Sequence, residues 1–509
     1  MTEKIDTLDK EQLYFLPLGG CEEFGCNFNL YAYNGQWLAV DCGIGFADER
    51  YPGIDILLPD PSFIAQRRES LAGLIITHAH EDHIGATAML WSRLQCPIYA
   101  TPFTAAILRN KFAEIEGGDK AQIHEIQGGD RLTLGPFSVQ LVAMSHSVPQ
   151  TVSLIIETLA GRVVHSADWN LDSEPVIDGP TDTQALQEAG EQGVLAYIGD
   201  STNALVPGRS GSERNVEQGL EDLFKETEGR IVITQFASNI GRLKSICLAA
   251  RATGRQVCLL GRSLQAMVAA ARTNNYLQHV DDFIDENDLG LIPEDRQVIV
   301  ATGSQGESRA AMARISRGEW KSIDIDSQDT VIFSAREIPG NMAEINALKN
   351  RLSAAGARII APHDTRHNIH VSGHPYSEEI RDMLGWLKPR LVVTVHGERL
   401  MLEGQAELAR EAGVPDRIVP GNGSLIRLGP DAPQIVDYVP TGFIAVAPQG
   451  LIPADDPGLD QRRKLQFTGT VHISLVVDQR GAPAADPKIS ILGLCAPDSD
   501  AEAELLQDI

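Results

Sequence analysis

The opening part of the chain alternates short apolar runs with turn-forming residues, a pattern typical of β-strands. Gln12 to Gly19, Asn27 to Tyr33 and Gln36 to Val40 are predicted strands, and Asn34-Gly35 between the last two is a strong hairpin signal. The apolar run Leu71 to Ile76 predicts a buried strand, and the segment that begins at Gly85 predicts the start of a helix. The chain therefore opens with a meander and continues with strand-helix units.

Several later strands are followed by side chains that can bind a metal or move a proton. These strands and side chains are Phe137 to Met144 with His146, Arg162 to Ser166 with Asp168, Gly193 to Ile198 with Asp200, and Leu391 to Val395 with His396. Taken alone, Asp200 can also be explained as a helix cap or turn former, although this is the less favoured of the two interpretations. The pattern identifies these residues as candidates without assigning them to a site.

Turn-forming residues around Pro207 to Ser212 mark a predicted domain boundary. From there to about residue 360, strands and helices alternate again, which predicts a separate parallel-sheet domain. Its predicted strands are Arg230 to Thr234, Gln256 to Leu260, Gln297 to Ala301, Thr330 to Phe333 and Ala357 to Ala361. Beyond about residue 450 we expect a hairpin formed by Val471 to Val477 and Lys488 to Leu494, and then an acidic tail.

Composition narrows the class of protein. At 509 residues, two to four domains are expected, and 43% hydrophobic with 22% charged residues is ordinary for a soluble globular chain. The formal net charge of −26 repels polyanions, which counts against nucleic acid as a partner. A nucleic-acid substrate would have to be attracted by a local basic cleft or by bound metal ions.

Cysteine usage and the amino terminus indicate the compartment. The seven cysteines are scattered and include no Cys-x-x-Cys pair, so neither a disulfide framework nor a zinc ribbon is expected. Met1 to Asp6 is polar and lacks the apolar segment of a signal peptide. No apolar run is long enough to span a bilayer. We therefore expect a cytoplasmic protein with no membrane partner.

The most informative stretch is His78 to His83, which places three histidines and a carboxylate within six residues after a predicted buried strand. An isolated histidine is usually solvated or satisfied in a core, but these groups packed together without a cation would repel or remain unpaired. His78 and His80 can face one divalent ion while Asp82 and His83 face another, and a single ion would use fewer of them. Asp41 is either a turn aspartate or a group that orients a ligand.

The order His-x-His-x-Asp-His, then His146, Asp168 and the distant His396, resembles the metallo-β-lactamase superfamily. This resemblance implies an α/β fold, the αββα sandwich, with the ligands gathered at one edge. It also implies that His78, His80 and His146 hold one ion, that Asp82, His83 and His396 hold a second, and that Asp168 bridges them. Asp41 matches the superfamily's first motif, which orients ligands.

Six further strings resemble the ribonuclease J family of the β-CASP group. They are Gly199 to Asn203, Phe236 to Asn239, Ala301 to Glu307, Ile338 to Asn341, His370 to His374 and Val395 to Glu398. The resemblance implies a first metallo-β-lactamase part at 1–207, an inserted β-CASP domain at 208–362, a second metallo-β-lactamase part at 363–450 and a small, shortened α+β domain at 451–509. Ala86 stands where the family has a second glycine, which we expect to affect helix packing rather than ligation.

The resemblance also implies roles at the site. We expect two divalent metal ions, zinc first and manganese as the alternative, with Asp82 or Asp168 accepting the proton of the attacking water. His374 is the expected donor to the leaving oxygen, and Asp200 belongs to the same catalytic set. A pocket for a 5′-monophosphate is expected from Ser238, Asn239, His370, Val371, Ser372, Gly373 and His374.

The implied activity is 5′-to-3′ exonuclease action on 5′-monophosphorylated single-stranded RNA, together with endonuclease activity. His396 favours RNA over DNA, because DNA-acting β-CASP members carry valine there. The expected partners are single-stranded RNA, copies of the chain in a homodimer or homotetramer, and proteins of an RNA-degradation complex. Two alternatives stay open: a small-molecule hydrolase of the glyoxalase type using the same ligands, and a non-catalytic RNA-binding scaffold.

Overall fold

The computed structural model describes residues 8–508, so the segment Met1 to Asp6, expected to lack a signal peptide, lies outside the described residues. The chain forms two compact units. The first comprises Met1–Ile44 with Pro61–Thr441, and the second comprises Gly45–Asp60 with Gly442–Ile509. The predicted division into four segments did not anticipate that residues 45–60 group with the carboxy-terminal residues, and its boundaries stay predictions.

Two large sheets form the centre of the first unit. In spatial order, the strands of one sheet are Gln434–Tyr438, Ser424–Gly429, Leu13–Gly19, Phe28–Tyr33, Gln36–Val40, Leu71–Ile76, Ile98–Ala100 and Ile123–Glu125. Those of the other sheet are Asp416–Ile418, Leu391–Val395, Ala196–Asp200, Gly161–His165, Val152–Thr158, Phe137–Ala143 and Arg131–Leu134. The predicted opening meander is confirmed, with Asn34 and Gly35 in the turn between antiparallel strands.

Apolar side chains of both sheets share one core. It includes Phe15, Leu38 and Ile75 from the first sheet and Leu154 and Val393 from the second. On the outer face of the second sheet, a separate cluster packs Trp169, Tyr197 and side chains of three helices. These helices are Thr183–Glu191, Ser377–Leu387 and Arg399–Glu411. Helix Pro102–Ala113 packs on the first sheet, which completes the predicted αββα sandwich.

The inserted segment has a five-stranded parallel sheet of its own, as predicted. Its spatial order is Gln256–Leu260, Gln297–Ala301, Ile231–Thr234, Thr330–Phe333 and Arg358–Ile360. The helices of this segment are Glu213–Glu226, Ile240–Ala252, Arg262–Thr273, Ala311–Ser316 and Met342–Ala354. The three central strands, Gln297–Ala301, Ile231–Thr234 and Thr330–Phe333, are buried along their whole length, which explains their continuous apolar sequences.

The second unit is a small α+β assembly. It contains a four-stranded sheet with the order Gly450–Pro453, Phe443–Ala447, Ile56–Pro59 and Gly45–Phe46. Helix Pro457–Thr468 follows, and then the predicted hairpin, which the structure confines to Thr470–Ser474 and Lys488–Leu492. The acidic tail expected after it forms helix Asp500–Asp508.

Two local expectations about the site were incomplete. The His78 to His83 cluster was expected on a loop, but Asp82 and His83 belong to the one-turn helix Glu81–Ile84, which precedes helix Thr87–Leu94. Asp200 was expected after its strand, and it is the last residue of strand Ala196–Asp200. No helix among residues 8–508 combines the length and the apolar character that crossing a membrane requires.

Candidate functional site

The segment after strand Leu71–Ile76 is held in place by the loop after strand Gln36–Val40. The Cys42 N–H donates to the His83 carbonyl oxygen at 2.7 Å, and the Ile44 N–H donates to that of Glu81 at 2.9 Å. This close approach needs glycine between them, because a Cβ at Gly43 would lie 1.7 Å from the Asp82 carbonyl oxygen. The Asp-Cys-Gly string therefore positions the backbone of the metal-competent segment.

Three histidine nitrogens meet at the first candidate metal position. His80 Nδ1 lies 3.1 Å from His78 Nε2 and 3.0 Å from His146 Nε2. Asp168 Oδ2 lies 3.5 Å from His78 Nε2 and 3.7 Å from His146 Nε2. Two ligands bound tetrahedrally at about 2.1 Å from one ion are about 3.4 Å apart, so these separations fit a divalent metal.

A second set of ligand-type atoms faces the other oxygen of the same carboxylate. Asp168 Oδ1 lies 3.3 Å from His83 Nε2 and 3.7 Å from His396 Nε2. Asp82 Oδ2 lies 3.4 Å from His83 Nε2 and 3.8 Å from His396 Nε2. The structure thus brings together all seven residues expected to bind metal.

Asp168 itself provides the test of whether a metal fits. Its side chain is 1% exposed, and neither of its carboxylate oxygens has a hydrogen-bond partner among the described residues. A buried carboxylate without hydrogen bonds is strongly unfavourable unless a cation compensates it. The donor set of imidazoles and carboxylates matches zinc and similar divalent ions. The residues present therefore fit a divalent metal centre.

Polar groups behind the cluster orient several of these rings. Asp41 Oδ2 lies 2.7 Å from His83 Nδ1, and Asp41 Oδ1 accepts hydrogen bonds from the Thr77 N–H and hydroxyl group. Thr77 Oγ1 in turn lies 2.9 Å from His78 Nδ1. His396 Nδ1 donates to Asn27 Oδ1 at 3.0 Å. The sequence analysis identified Asp41 and missed Thr77 and Asn27, whose partners are not evident from local sequence.

Asp200 and His374 form a close pair beside this cluster. His374 Nδ1 lies 2.8 Å from Asp200 Oδ2 and 3.8 Å from Asp168 Oδ2. The His374 ring stacks on that of His396 with centroids 5.6 Å apart. Asp200, His374 and His396 also form a third group with ligand-type spacing, which the sequence analysis did not anticipate.

Burial and neighbouring charges shift the protonation of these groups. Burial, reinforced by the charge of His78, lowers the pKa of His80 to about 3, and burial also lowers the pKa values of His78 and His146. For His374, burial acts downward, but the carboxylates of Asp200 and Asp168 prevail and raise its pKa to about 9. Burial thus favours the neutral form of the first histidine set, as ligation requires, whereas the carboxylates beside His374 favour its protonated form.

The expected phosphate pocket brings a helix start next to the segment His370 to His374. Asn239 caps helix Ile240–Ala252, with its Oδ1 accepting a hydrogen bond from the Arg242 N–H at 2.8 Å. The fully buried Arg242 side chain donates to the Ile369 carbonyl oxygen at 3.2 Å, and its Nη1 lies 3.5 Å from His370 Nδ1. Ser238 is half-buried just before this helix.

Asparagines from two strand ends hold the segment Ser372 to His374. Asn170 Nδ2 donates to the Ser372 carbonyl oxygen at 3.1 Å, and Asn203 Nδ2 donates to Ser372 Oγ at 2.9 Å. Both asparagines were missed as site residues. Val371 packs closely against Gly211, because its Cγ1 lies 3.1 Å from the position that a Cβ on Gly211 would take.

Two histidines of the same stretch stand apart from the metal cluster. His363 is exposed, and His367 Nε2 pairs with Glu226 Oε2 at 3.0 Å on the surface. Neither belongs to a group of ligand-type atoms among residues 8–508.

Profiles of three protein families match the chain. The family described as "Ribonuclease J, beta-CASP domain" matches residues 228–352, "Beta-lactamase superfamily domain" matches 36–182, and "Zn-dependent metallo-hydrolase RNA specificity domain" matches 363–419. Their order agrees with two sheets interrupted by an inserted parallel sheet. A solved protein of unknown function from Enterococcus faecalis superposes with a TM-score of 0.55 over 82% of this chain and 100% of its own, at 16% identity, which supports the fold.

Similarity to whole proteins extends over nearly the full chain. Ribonuclease J of Sinorhizobium meliloti is 43% identical over 99% of this chain and 89% of its own length. Ribonuclease J of Mycolicibacterium smegmatis is 38% identical over 92% of this chain and 84% of its own. Ribonuclease J 1 of Streptococcus pyogenes is 35% identical over 93% of this chain and 84% of its own length. The chain therefore belongs to the ribonuclease J family of metal-dependent ribonucleases.

Proposed function

We propose that this chain is a two-metal ribonuclease that removes nucleotides from the 5′ end of 5′-monophosphorylated single-stranded RNA and can also cut internally. The observation that carries the proposal is Asp168, whose two buried, unpartnered oxygens each face a separate pair of histidine nitrogens. His78, His80 and His146 would hold one ion, Asp82, His83 and His396 the other, and Asp168 both. Zinc is the first choice and manganese the alternative.

Two divalent ions bound by these residues would supply a nucleophile from water at neutral pH and would neutralise charge that develops on the phosphate. Asp82 or Asp168 accepts the proton of that water. His374 is protonated and held by Asp200, so it can donate a proton to the leaving 3′ oxygen. Asp41 keeps the His83 ring in one orientation.

The 5′-monophosphate would bind where Ser238 and Asn239 start helix Ile240–Ala252, against His370, Val371, Ser372 and Gly373. A helix start offers backbone N–H groups and a positive dipole end, both of which favour phosphate. The buried Arg242 holds the first turn of that helix beside His370. A terminal phosphate fixed beside the metal cluster places the first linkage for cleavage, which gives the 5′-to-3′ direction.

The proposal is tested by metal analysis and RNA digestion on matched variants. The purified wild-type chain is expected to bind two equivalents of Zn²⁺ or Mn²⁺ and to degrade 5′-monophosphorylated RNA. His80→Ala is expected to lose one equivalent of metal and nearly all RNA cleavage. His363→Ala, which changes an exposed residue, should retain the metal content and the cleavage rate of wild type. Wild-type protein that leaves RNA intact with metal supplied, or that hydrolyses a thioester instead, would contradict the proposal.

We also propose that the chain assembles as a homodimer or homotetramer, works with other proteins of RNA degradation, and acts in the cytoplasm. The similarity to ribonuclease J chains over most of their length supports this part. Sedimentation of the purified chain tests the assembly. A monomer at micromolar concentration would contradict it.

A further inference from the structure

Arg336 lies just after strand Thr330–Phe333 of the inserted sheet, and the connections that leave this strand and its neighbour Ile231–Thr234 run in opposite directions. After strand Ile231–Thr234 the chain continues to Gln256–Leu260 on one side, and after the adjacent strand Thr330–Phe333 it continues to Arg358–Ile360 on the other. Ligands of open α/β sheets bind outside the carboxyl ends of strands at such a switch point. At this switch point, the residues after Thr234 lie on one side and the residues after Phe333 lie on the other.

A buried glutamine from a third strand end fixes the backbone of Arg336. Gln305 Nε2 donates to the Arg336 carbonyl oxygen at 2.8 Å, and the Ile338 N–H donates to Gln305 Oε1 at 3.0 Å. Gln305 is 5% exposed. These two hydrogen bonds hold the backbone of the loop that presents the Arg336 side chain, as positioning a ligand-binding residue requires.

The Arg336 guanidinium reaches Asn203, which in turn contacts the segment His370 to His374. Its Nη1 donates to Asn203 Oδ1, and Asn203 Nδ2 donates to Ser372 Oγ at 2.9 Å. Asn203 Nδ2 also lies 3.4 Å from the His374 carbonyl oxygen. Burial and the charge of Arg242 lower the pKa of His370, and the nearby charge of Arg336 adds to this effect.

Arg242 and Arg336 differ in how many of their N–H donors already have a hydrogen-bond partner. Arg242 is fully buried and bonds to Glu213, to Ser334 and to the Ile369 carbonyl oxygen, so it is committed to the fold. Arg336 is half-buried, and its only side-chain partner among residues 8–508 is the neutral amide of Asn203. A guanidinium has five N–H donors, so Arg336 retains most of its capacity for a ligand.

We propose that Arg336 is the residue that distinguishes a 5′-terminal phosphate from a 5′-hydroxyl. This inference rests on the proposed function and adds a specificity-determining residue to its pocket. A guanidinium binds a phosphate through paired charge-assisted hydrogen bonds, which a neutral hydroxyl cannot match. In a chain with a net charge of −26, the terminal phosphate needs such a local cation.

The test compares Arg336→Gln, which removes the charge but keeps a polar side chain, with wild type on RNAs of one sequence bearing 5′-phosphate or 5′-hydroxyl. We expect KM for the phosphorylated RNA to rise about ten- to hundredfold with kcat little changed, and the hydroxyl RNA to be unaffected. Uridine 5′-monophosphate binding, measured by calorimetry, should weaken equally, while uridine binding stays the same. Arg336→Lys should recover part of the loss.

Arg296→Ala, an exposed residue at the opposite edge of the same sheet, controls for loss of general positive charge. An equal loss on both RNAs, or an unchanged phosphate preference in Arg336→Gln, would overturn the inference while leaving the proposed ribonuclease intact. Wild-type protein that degrades neither RNA would overturn both. Unchanged turnover of the hydroxyl RNA by Arg336→Gln shows that the variant is folded.

Discussion

His146 Nδ1 donates a hydrogen bond to the carbonyl oxygen of Gly373 at 2.7 Å, across 227 residues of sequence. This bond joins a residue of the metal cluster to the segment proposed to hold the RNA 5′ end. It also leaves His146 Nε2 free to face His80 and Asp168. Metal binding and substrate binding therefore depend on one short segment, His370 to His374.

The first prediction concerns the contact between His146 and Gly373. A Cβ added at Gly373 would lie 2.8 Å from the His146 ring and 2.8 Å from Ser147 Oγ, so Gly373→Ala must displace the ring. We expect affinity for one of the two ions to fall about 10- to 100-fold, the range seen when groups behind a ligand are lost. Gly385→Ala, where a Cβ would meet nothing within 4 Å, is the control. Wild-type metal affinity in Gly373→Ala would refute the coupling.

The second prediction concerns the proton donor. Asp200→Asn removes the anion that holds His374 protonated and oriented, so kcat is expected to fall about a hundredfold with KM little changed. Thr202→Val removes only a hydrogen bond to Asp200 Oδ1 and should have a much smaller effect. Single-turnover cleavage measures both. If Asp200→Asn cleaves at the wild-type rate, His374 is not the donor.

The third prediction concerns the stability of the inserted domain. Arg230 and Asp329 form a buried, doubly hydrogen-bonded pair, with both contacts at 2.7 Å. Asp329→Ala leaves the Arg230 charge buried and should cost about 3–5 kcal/mol. Asp281→Ala breaks an exposed pair with Arg251, which solvent screens, and should have a far smaller effect on stability. Hydrogen exchange of strands Ile231–Thr234 and Thr330–Phe333 in urea reports the difference, and equal effects would contradict it.

The fourth prediction is a pH dependence of folding. Burial lowers the pKa of His165 from 6.5 to about 4, and its Nδ1 lies 2.9 Å from the Tyr31 hydroxyl. Between these pH values His165 is protonated in the unfolded chain and neutral in the folded chain. His165 therefore destabilises the fold as pH falls from 6.5 towards 4. The free energy of unfolding of wild type should therefore drop by about 3 kcal/mol more than that of His165→Gln over this range. Parallel pH profiles for the two proteins would exclude this effect.

The sequence predicted the sheets and identified the first candidate ligands because both are encoded locally. Alternating or continuous apolar runs located the strands, and His78 to His83 are adjacent in the chain. Asn27 was missed because its partner, His396, is 369 residues away and an asparagine after a turn carries no sign of that contact. Arg336 was missed for the same reason. Residues 45–60 gave no local indication that strand Ile56–Pro59 pairs with Phe443–Ala447.

The most direct test of the central claim is digestion of one RNA sequence with 5′-monophosphate, 5′-triphosphate or 5′-hydroxyl ends, by metal-free protein with and without added Mn²⁺ or Zn²⁺. We predict that the monophosphorylated RNA is degraded fastest, from its 5′ end and only with metal, and that Asp168→Ala is inactive throughout. Metal-independent cleavage, degradation from the 3′ end, or equal rates for the three ends would contradict a two-metal centre with a 5′-phosphate pocket.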